Sequence, residues 1–553
     1  MHARSVFICL MLASTSAFAQ APVDLIVHNA RIYTVDPSRP VAEALAVRGD
    51  RIVFVGSERG AVALAGPATE RLDVGGRTVI PDMVDAHAHL LGLGQALRRV
   101  DLVGTRSYDA IVQRVVERAR AARPGEWIQG RGWDQNDWAD TRFPTHEALS
   151  RAVPDNPVYL TRVDGHAALV NARALELAGV TRETQDPEGG RFIRDASGNP
   201  TGVLIDRAQG IVSRVIPETS RAELRDAVLA AIAETNRWGL TGLHDAGVSE
   251  GVISVYEELA REGRYNLRNY VMIRESEATL DRFIARGPQS ALHNGRLWLR
   301  AIKITIDGAL GSRGAALLED YTDEAGNRGL ITADTAMVHR VAVKALRSGF
   351  QLNVHAIGDR GNRVALDIFE AALGEVPRGD HRFRIEHAQI LHYQDIPRFA
   401  ELDVIPSMQG SHQTSDMYWA PTRIGWNRSQ GAYAWRSLLD TGVPIPNGSD
   451  FPVEHVNPLI SFKAFVTRQD ADGYPAGGWF PAQRTTRAEA LKSITIWPAY
   501  AAFMENESGS ITPGKYADFV VLSQDIMSIA PEQILSTQVE ITVLGGNIVY
   551  QRQ

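Results

Sequence analysis

Cysteine is almost missing from this chain. Of 553 residues only Cys9 carries a thiol, and it lies in an N-terminal stretch that reads as a removable leader. The mature protein is then left without disulfides, thiolate nucleophiles or cysteine metal ligands, and any metal has to be held by nitrogen and oxygen. Long apolar runs are missing too. The N-terminal one, Val6 to Leu12, is too short to cross a hydrocarbon core of about 30 Å as a helix, and no later stretch is long enough. Basic clusters are the third absence: with 58 Lys and Arg against 65 Asp and Glu, the formal net charge is -7. That balance offers no footprint for neutralising phosphates and sets nucleic acid aside as a partner. Internal repeats and low-complexity tracts are also absent.

What is present begins with that leader. His2 and Arg4 precede the apolar run, and small residues lead to Ala17-Phe18-Ala19, an A-x-A site. Residues 1–19 are therefore expected to be a signal peptide cleaved after Ala19, giving a periplasmic or secreted protein with no membrane attachment after cleavage. The remainder, 44% hydrophobic and 22% charged, has the composition of a soluble globular protein with a large core.

Short strand-like segments open and close the chain: Leu25 to Tyr33, Ala44 to Gly56 with a turn at Gly49-Asp50, then Ala517 to Leu522 and Ile541 to Tyr550. The two β-rich ends, 20–80 and 506–553, are expected to form one small β-sandwich domain. Between them, over 81–505, apolar strands alternate with helical stretches such as Ala222 to Trp238 and Met337 to Ser348, the rhythm of a parallel sheet. Eight strand candidates stand there: Met83–His87, Gly242–Asp245, Leu267–Met272, Leu299–Asp307, Gln351–His355, Phe383–His387, Val404–Met408 and Val443–Asp450. Eight parallel strands predict a (β/α)8 TIM barrel in an α/β protein. Residues of about 100–220 are too many for one crossover and are expected to be an insertion after the first barrel strand, roofing the barrel top.

His87 and His89 are two positions apart, so on a strand both imidazoles leave one face at the carboxyl end, where barrel enzymes assemble their sites. His355, His387 and Asp450 each close a later strand. Taken singly, each also fits a hydrogen-bonded core histidine or a turn aspartate; recurrence at the same end of successive strands favours a shared metal site. Lys303 lies between isoleucines in a central strand, where a buried ammonium costs several kcal/mol unless it is paired or neutralised. It is satisfied either by an ion pair with Asp307 or Asp85, or by reaction with CO2 to a carbamate able to bridge two cations.

The order His-x-His, Lys, His, His, Asp over strands one, four, five, six and eight, with a split β domain, resembles the amidohydrolase superfamily. Val79 to His89, Asp164-Gly-His166-Ala, Asp307 to Arg313, His355-Ala-Ile-Gly-Asp359, Ile385-Glu-His-Ala-Gln389, Ser407-Met-Gln409 and Gly448 to Glu454 look like its amidohydrolase 3 (YtcJ-like) branch. The likeness spans nearly the whole mature chain. Asp82 and Gly410 depart from it, standing where the branch usually has Gly and Pro; neither change removes a ligand.

The resemblance implies a metal-dependent hydrolase with two divalent cations, zinc by default and otherwise manganese, iron or cobalt. His87 and His89 would hold the more buried one with Asp450, His355 and His387 the other, and carbamylated Lys303 would bridge them. The cations would activate water and polarise the substrate carbonyl, and Asp450 would carry the proton to the leaving nitrogen. Implied for the reaction is hydrolysis of an amide, N-acyl or cyclic amide bond in a small molecule; the alternatives are an ester, lactone or carbamate hydrolase and a non-catalytic periplasmic binding protein. His166, Arg313, Gln409 and His412 are expected substrate contacts. Trp133, Trp419, Trp426 and Trp435 are candidate walls of an apolar pocket, and the family suggests a homodimer.

Overall fold

The computed structural model describes residues 22–553 apart from 136–137, 163–166, 188–189, 312 and 378. The expected leader and His166 therefore lie outside the described residues. Eight parallel strands form one continuous ladder: β1 (Met83–Ala88), β2 (Leu240–Val248), β3 (Arg268–Ile273), β4 (Leu297–Thr305), β5 (Gln351–Ala356), β6 (Arg384–His387), β7 (Ile405–Gln409) and β8 (Asn447–Gly448). Helices cover the outside between them, Arg221–Arg237 and Thr335–Ser348 among them, each within a residue or two of the expected span. The barrel closes where the Asp450 N–H donates to the His87 carbonyl at 2.7 Å and the His89 N–H to that of Phe451 at 2.9 Å.

The eighth strand is shorter than its apolar run suggests. Pro444 and Pro446 lack the N–H that a ladder needs, so only Asn447–Gly448 pair with β7, while the Pro446 carbonyl accepts from Met408 at 3.0 Å.

Both chain ends build the β-rich domain. A four-stranded sheet of Arg51–Gly56, Ala44–Arg48, Leu25–His28 and Glu70–Asp73 faces a six-stranded one running from Asn547–Gln551 through Val539–Leu544, Phe519–Leu522, Thr78–Pro81 and Arg31–Tyr33 to Val41–Ala42. The expected turn falls at Gly49-Asp50, between Arg48 and Arg51. The two-residue period of a strand explains how this domain grips the barrel. Phe519 and Val521 enter the core between the sheets, while Val520 and Leu522 face the barrel core; Val79 and Ile80 divide in the same way. At that seam Arg268 of β3 lies 3.5 Å over the Tyr516 ring and donates to Asp518 at 2.9 Å.

The insertion has a fold of its own. Six strands, from Val100–Asp101 to Pro200–Asp206, form a mixed sheet with separate apolar clusters centred on Trp133, Leu160 and Val203 and on Leu175, Phe192 and Leu204. Among the described residues no helix is long and apolar enough to cross a membrane.

Candidate metal centre

The strand ends bring the predicted ligands together. Among the described residues, ligand atoms of His87, His387 and Asp450 lie within 4.8 Å of one another. Ring centroids of His87 and His387 are 4.8 Å apart, those of His387 and His355 4.4 Å, and those of His87 and His89 5.7 Å. Asp450 Oδ1 lies 3.0 Å from His89 Nε2 and 3.7 Å from His87 Nε2. With Lys303 these residues line a cavity of about 440 Å3 at the carboxyl ends of the strands.

Each central imidazole is fixed through Nδ1. His87 Nδ1 donates to Glu386 Oε2, and His387 Nδ1 donates to Gln409 Oε1 at 2.8 Å. A hydrogen bond at Nδ1 selects the tautomer whose Nε2 keeps its lone pair, which is how metal-binding histidines are oriented. Burial, together with the cationic neighbour Lys303, lowers the pKa of His87, of His387 and, to about 3, of His355. All three imidazoles are thereby held in the neutral form, with a lone pair to offer. Burial alone would raise the Asp450 carboxyl, but the His89 hydrogen bond and the neighbouring imidazoles hold it well below the ordinary range. Neutral imidazoles around an ionised carboxylate form a donor set suited to a divalent cation. The buried His355 Nε2, which has no hydrogen-bond partner, fits the same reading.

Lys303 is buried, and burial pulls its ammonium down to about 8. The two ion pairs open to it from sequence are not formed, because both carboxylates are engaged by other donors. Asp85 accepts from the Ser449 hydroxyl at 2.6 Å and from the Ser449 and His87 N–H groups at 3.1 Å. Asp307 accepts from the N–H groups of Ala316, Ile357 and Gly358 at 2.9 to 3.0 Å.

Close approach at the barrel seam requires a glycine. A Cβ on Gly448 would sit 2.5 Å from His87 N and 2.8 Å from Asp85 Oδ1, so no larger residue lets β8 deliver Asp450 beside His87. The helix after His89, Leu90–Arg98, is anchored by its Leu90 N–H, which donates to Asp245 Oδ1 at 3.0 Å.

The expected substrate contacts divide. His412 lines the cavity, stacks on His387 at 5.8 Å and holds its buried, unpartnered Nε2 3.8 Å from Asp450 Oδ2. Gln409 is buried behind His387 and serves that ligand. Arg313 does not line the cavity; its guanidinium is clasped by Asp323 at 2.8 and 3.1 Å. Of the four tryptophans only Trp419 reaches the cavity wall. Trp133 and Trp435 are buried in packing, and Trp426 is exposed against Phe480. None of the described residues of the insertion lines this cavity.

Sequence reasoning overlooked Arg384 and Glu386, although both lie within segments it quoted. Arg384 Nε pairs with Glu386 Oε1 at 2.7 Å, and its Nη atoms donate to the Ala86 carbonyl at 2.7 Å and to Ser407 Oγ and His244 Nδ1 at 2.8 Å. The available signal was two charges at i and i+2 in Phe383-Arg-Ile-Glu-His387, which puts both on one face of a buried strand.

Comparison with known proteins decides the family. The model of the amidohydrolase family matches residues 70–550. The chain belongs to the amidohydrolase family. YtcJ of Bacillus subtilis (strain 168), named as an amidohydrolase, is 34% identical over 95% of this chain and 99% of its own length. The N-substituted formamide deformylase of Arthrobacter pascens is 30% identical over 96% and 98%. A solved structure of an uncharacterized metal-dependent hydrolase from Pyrococcus furiosus superposes with a TM-score of 0.75 at 29% identity, covering 91% of this chain and 100% of that one. This amidohydrolase is thus a metal-dependent hydrolase of carbon-nitrogen bonds on a TIM barrel with a β-rich domain.

Proposed function

We propose that this amidohydrolase cleaves an amide, N-acyl or cyclic amide bond in a small molecule with two divalent cations, zinc in the first instance. His87, His89, His355, His387, Asp450 and a carbamylated Lys303 would hold them. The observation that carries the reading is the convergence of these side chains at one rim, with Lys303 buried and lacking a carboxylate partner among the described residues. Bound cations supply Lewis acidity, which makes water ionisable near neutral pH and polarises the scissile carbonyl.

The chain's own groups do the rest. Asp450, ionised across the neutral range, takes the proton from the attacking water and delivers it to the departing nitrogen. His412 donates a hydrogen bond to the carbonyl oxygen from the far wall. Burial pulls the Lys303 ammonium down to about 8, so it gives up its proton more readily than an exposed lysine. Once deprotonated, its nitrogen adds to the carbon of CO2 and releases a second proton to solvent, so that a buried cation is exchanged for an anionic carbamate with two oxygen donors. Residues 1–19, with their Ala17-Phe18-Ala19 site, support export and cleavage after Ala19, which N-terminal sequencing of the secreted protein would read directly.

Two measurements test the reading. Elemental analysis of protein purified without added metal should find close to two divalent cations per chain. A panel pairing each amide with its ester should show amide turnover that falls with chelation. Stoichiometric metal with turnover of the esters alone would favour an ester or lactone hydrolase; a protein without metal or turnover would be a binding protein.

A further inference from the structure

Arg274 follows β3, at the rim of the metal cavity. Most arginines around this barrel have carboxylates: Arg313 has Asp323, Arg282 has Glu250, and Arg384 has Glu386. Arg274 has none within ion-pair distance among the described residues. Its sequence neighbour Glu275 is turned away, accepting the Glu250 N–H at 2.8 Å. The side chain runs over Gly247, where an added Cβ would meet Arg274 Cδ at 3.4 Å; with φ at +83° this position also favours glycine. Gly247 and Arg274 thus line the same stretch of the cavity wall.

Position in the barrel gives this cation a meaning. In a ring of eight strands the third faces the seventh, and after β7 come His412 and Trp419, also on the cavity wall. The cavity thus has a free guanidinium on one side, the candidate metal-binding groups beneath, and the aromatic face of Trp419 on the other. A neutral, wholly apolar substrate would leave that guanidinium unused. A planar guanidinium with all its donors free matches a carboxylate by two parallel hydrogen bonds.

We propose that Arg274 is a specificity determinant, and that this hydrolase takes amides carrying a carboxylate at one end and an apolar or aryl group at the other, the scissile bond lying between. This rests on the C–N hydrolase reading above and narrows its substrate class. The carboxylate bonds Arg274 while the apolar group lies against Trp419.

The test uses the metal-loaded enzyme and two substrate pairs: N-phenylacetylglycine with its glycinamide, and N-phenylsuccinamic acid with its carboxamide. The pairs place the carboxylate on the amine and on the acyl side. The wild type should prefer the acid in at least one pair. Arg274→Met should reduce that acid-to-neutral ratio of kcat/KM by about 10- to 100-fold, the range of one charge-assisted interaction, mainly through KM, and Arg274→Lys should restore part of it. Absence of acid preference in both pairs, or a ratio unchanged in Arg274→Met, overturns the assignment. Calorimetric binding of the same compounds separates the two readings. Acid-selective binding lost in Arg274→Met, without cleavage, would retain the carboxylate site and sink the hydrolase; neither selective binding nor cleavage would sink both.

Discussion

Replacing Glu386 by Gln isolates the support behind His87. The carboxylate presents two acceptor oxygens, one 2.7 Å from Arg384 Nε and the other on His87 Nδ1. An amide of the same shape keeps one acceptor and turns a donor toward the other partner, so Arg384 and His87 cannot both be satisfied. Breaking a buried pair from one side costs about 3–5 kcal/mol. Arg384 retains the Ala86 carbonyl, Ser407 Oγ and His244 Nδ1 as acceptors, which places the loss near the lower end, about 3 kcal/mol. A ligand histidine deprived of its orienting partner loses about 10- to 100-fold in metal affinity, or about 1.4–2.7 kcal/mol. Urea unfolding of the metal-free protein reads the first quantity, and competition with a chelator the second. In Arg384→Met/Glu386→Leu no unpaired charge remains, so stability should largely recover. Metal affinity should stay low, because His87 Nδ1 still lacks its acceptor. Glu386→Gln protein that binds metal as tightly as the wild type would refute the view that this carboxylate orients His87.

Three further outcomes are expected. Lys303→Ala should lose metal and activity together, with short carboxylic acids restoring part of both, as metal analysis and turnover in added acetate would show. Asp450→Asn should slow turnover by about 10²- to 10⁴-fold, the worth of a positioned proton carrier; full turnover with metal bound would remove the shuttle role. Glu489 caps the helix Arg487–Ser493 and meets Arg436 at 2.5 and 3.1 Å. Although burial raises its carboxyl, the Arg436 and Thr486 hydrogen bonds hold it at about 2. A carboxyl lowered on folding stabilises above its unfolded pKa, so this contribution, about 1–2 kcal/mol after solvent screening, should fade as pH falls from about 4.5 toward 2. Glu489→Gln should flatten urea midpoints compared at pH 5 and pH 3.

Strand-borne ligands were legible because a strand's period ties spacing to direction. His87 and His89 form a pair at two residues, and His355 and His387 end apolar runs, so their common rim follows from topology alone. Gln409, Arg313 and Arg274 were not legible as to role, because a side chain leaving a strand end or loop can turn to either side. Gln409 turns back to His387, Arg313 is claimed by Asp323, and Arg274 packs over Gly247 at the cavity rim. The internal pairing of the insertion was not legible for a related reason. Its strands are short, and its two apolar clusters close only when strands distant in sequence pair, as Ile128 does with Val158 and Ala167 with Ile205.

The ligands occupy backbone that an L-residue rarely adopts. His387 has φ of 76°, Ala388 of 43° and Asp450 of 61°. Each costs about 1–3 kcal/mol and persists only where its surroundings overdetermine it. Around Asp450 those surroundings can be named. Its own N–H is held by the His87 carbonyl at 2.7 Å. The preceding Ser449 is bound through both hydroxyl and N–H to Asp85, whose other contact is the His87 N–H. One buried carboxylate thereby fixes the backbone of two ligands on the first and last strands, at the seam where no ladder continues to do so. Asp85 touches neither cavity nor substrate, yet it sets the angle between His87 and Asp450. The hydrogen bonds that orient these side chains thus lie behind them, on the side away from the cavity.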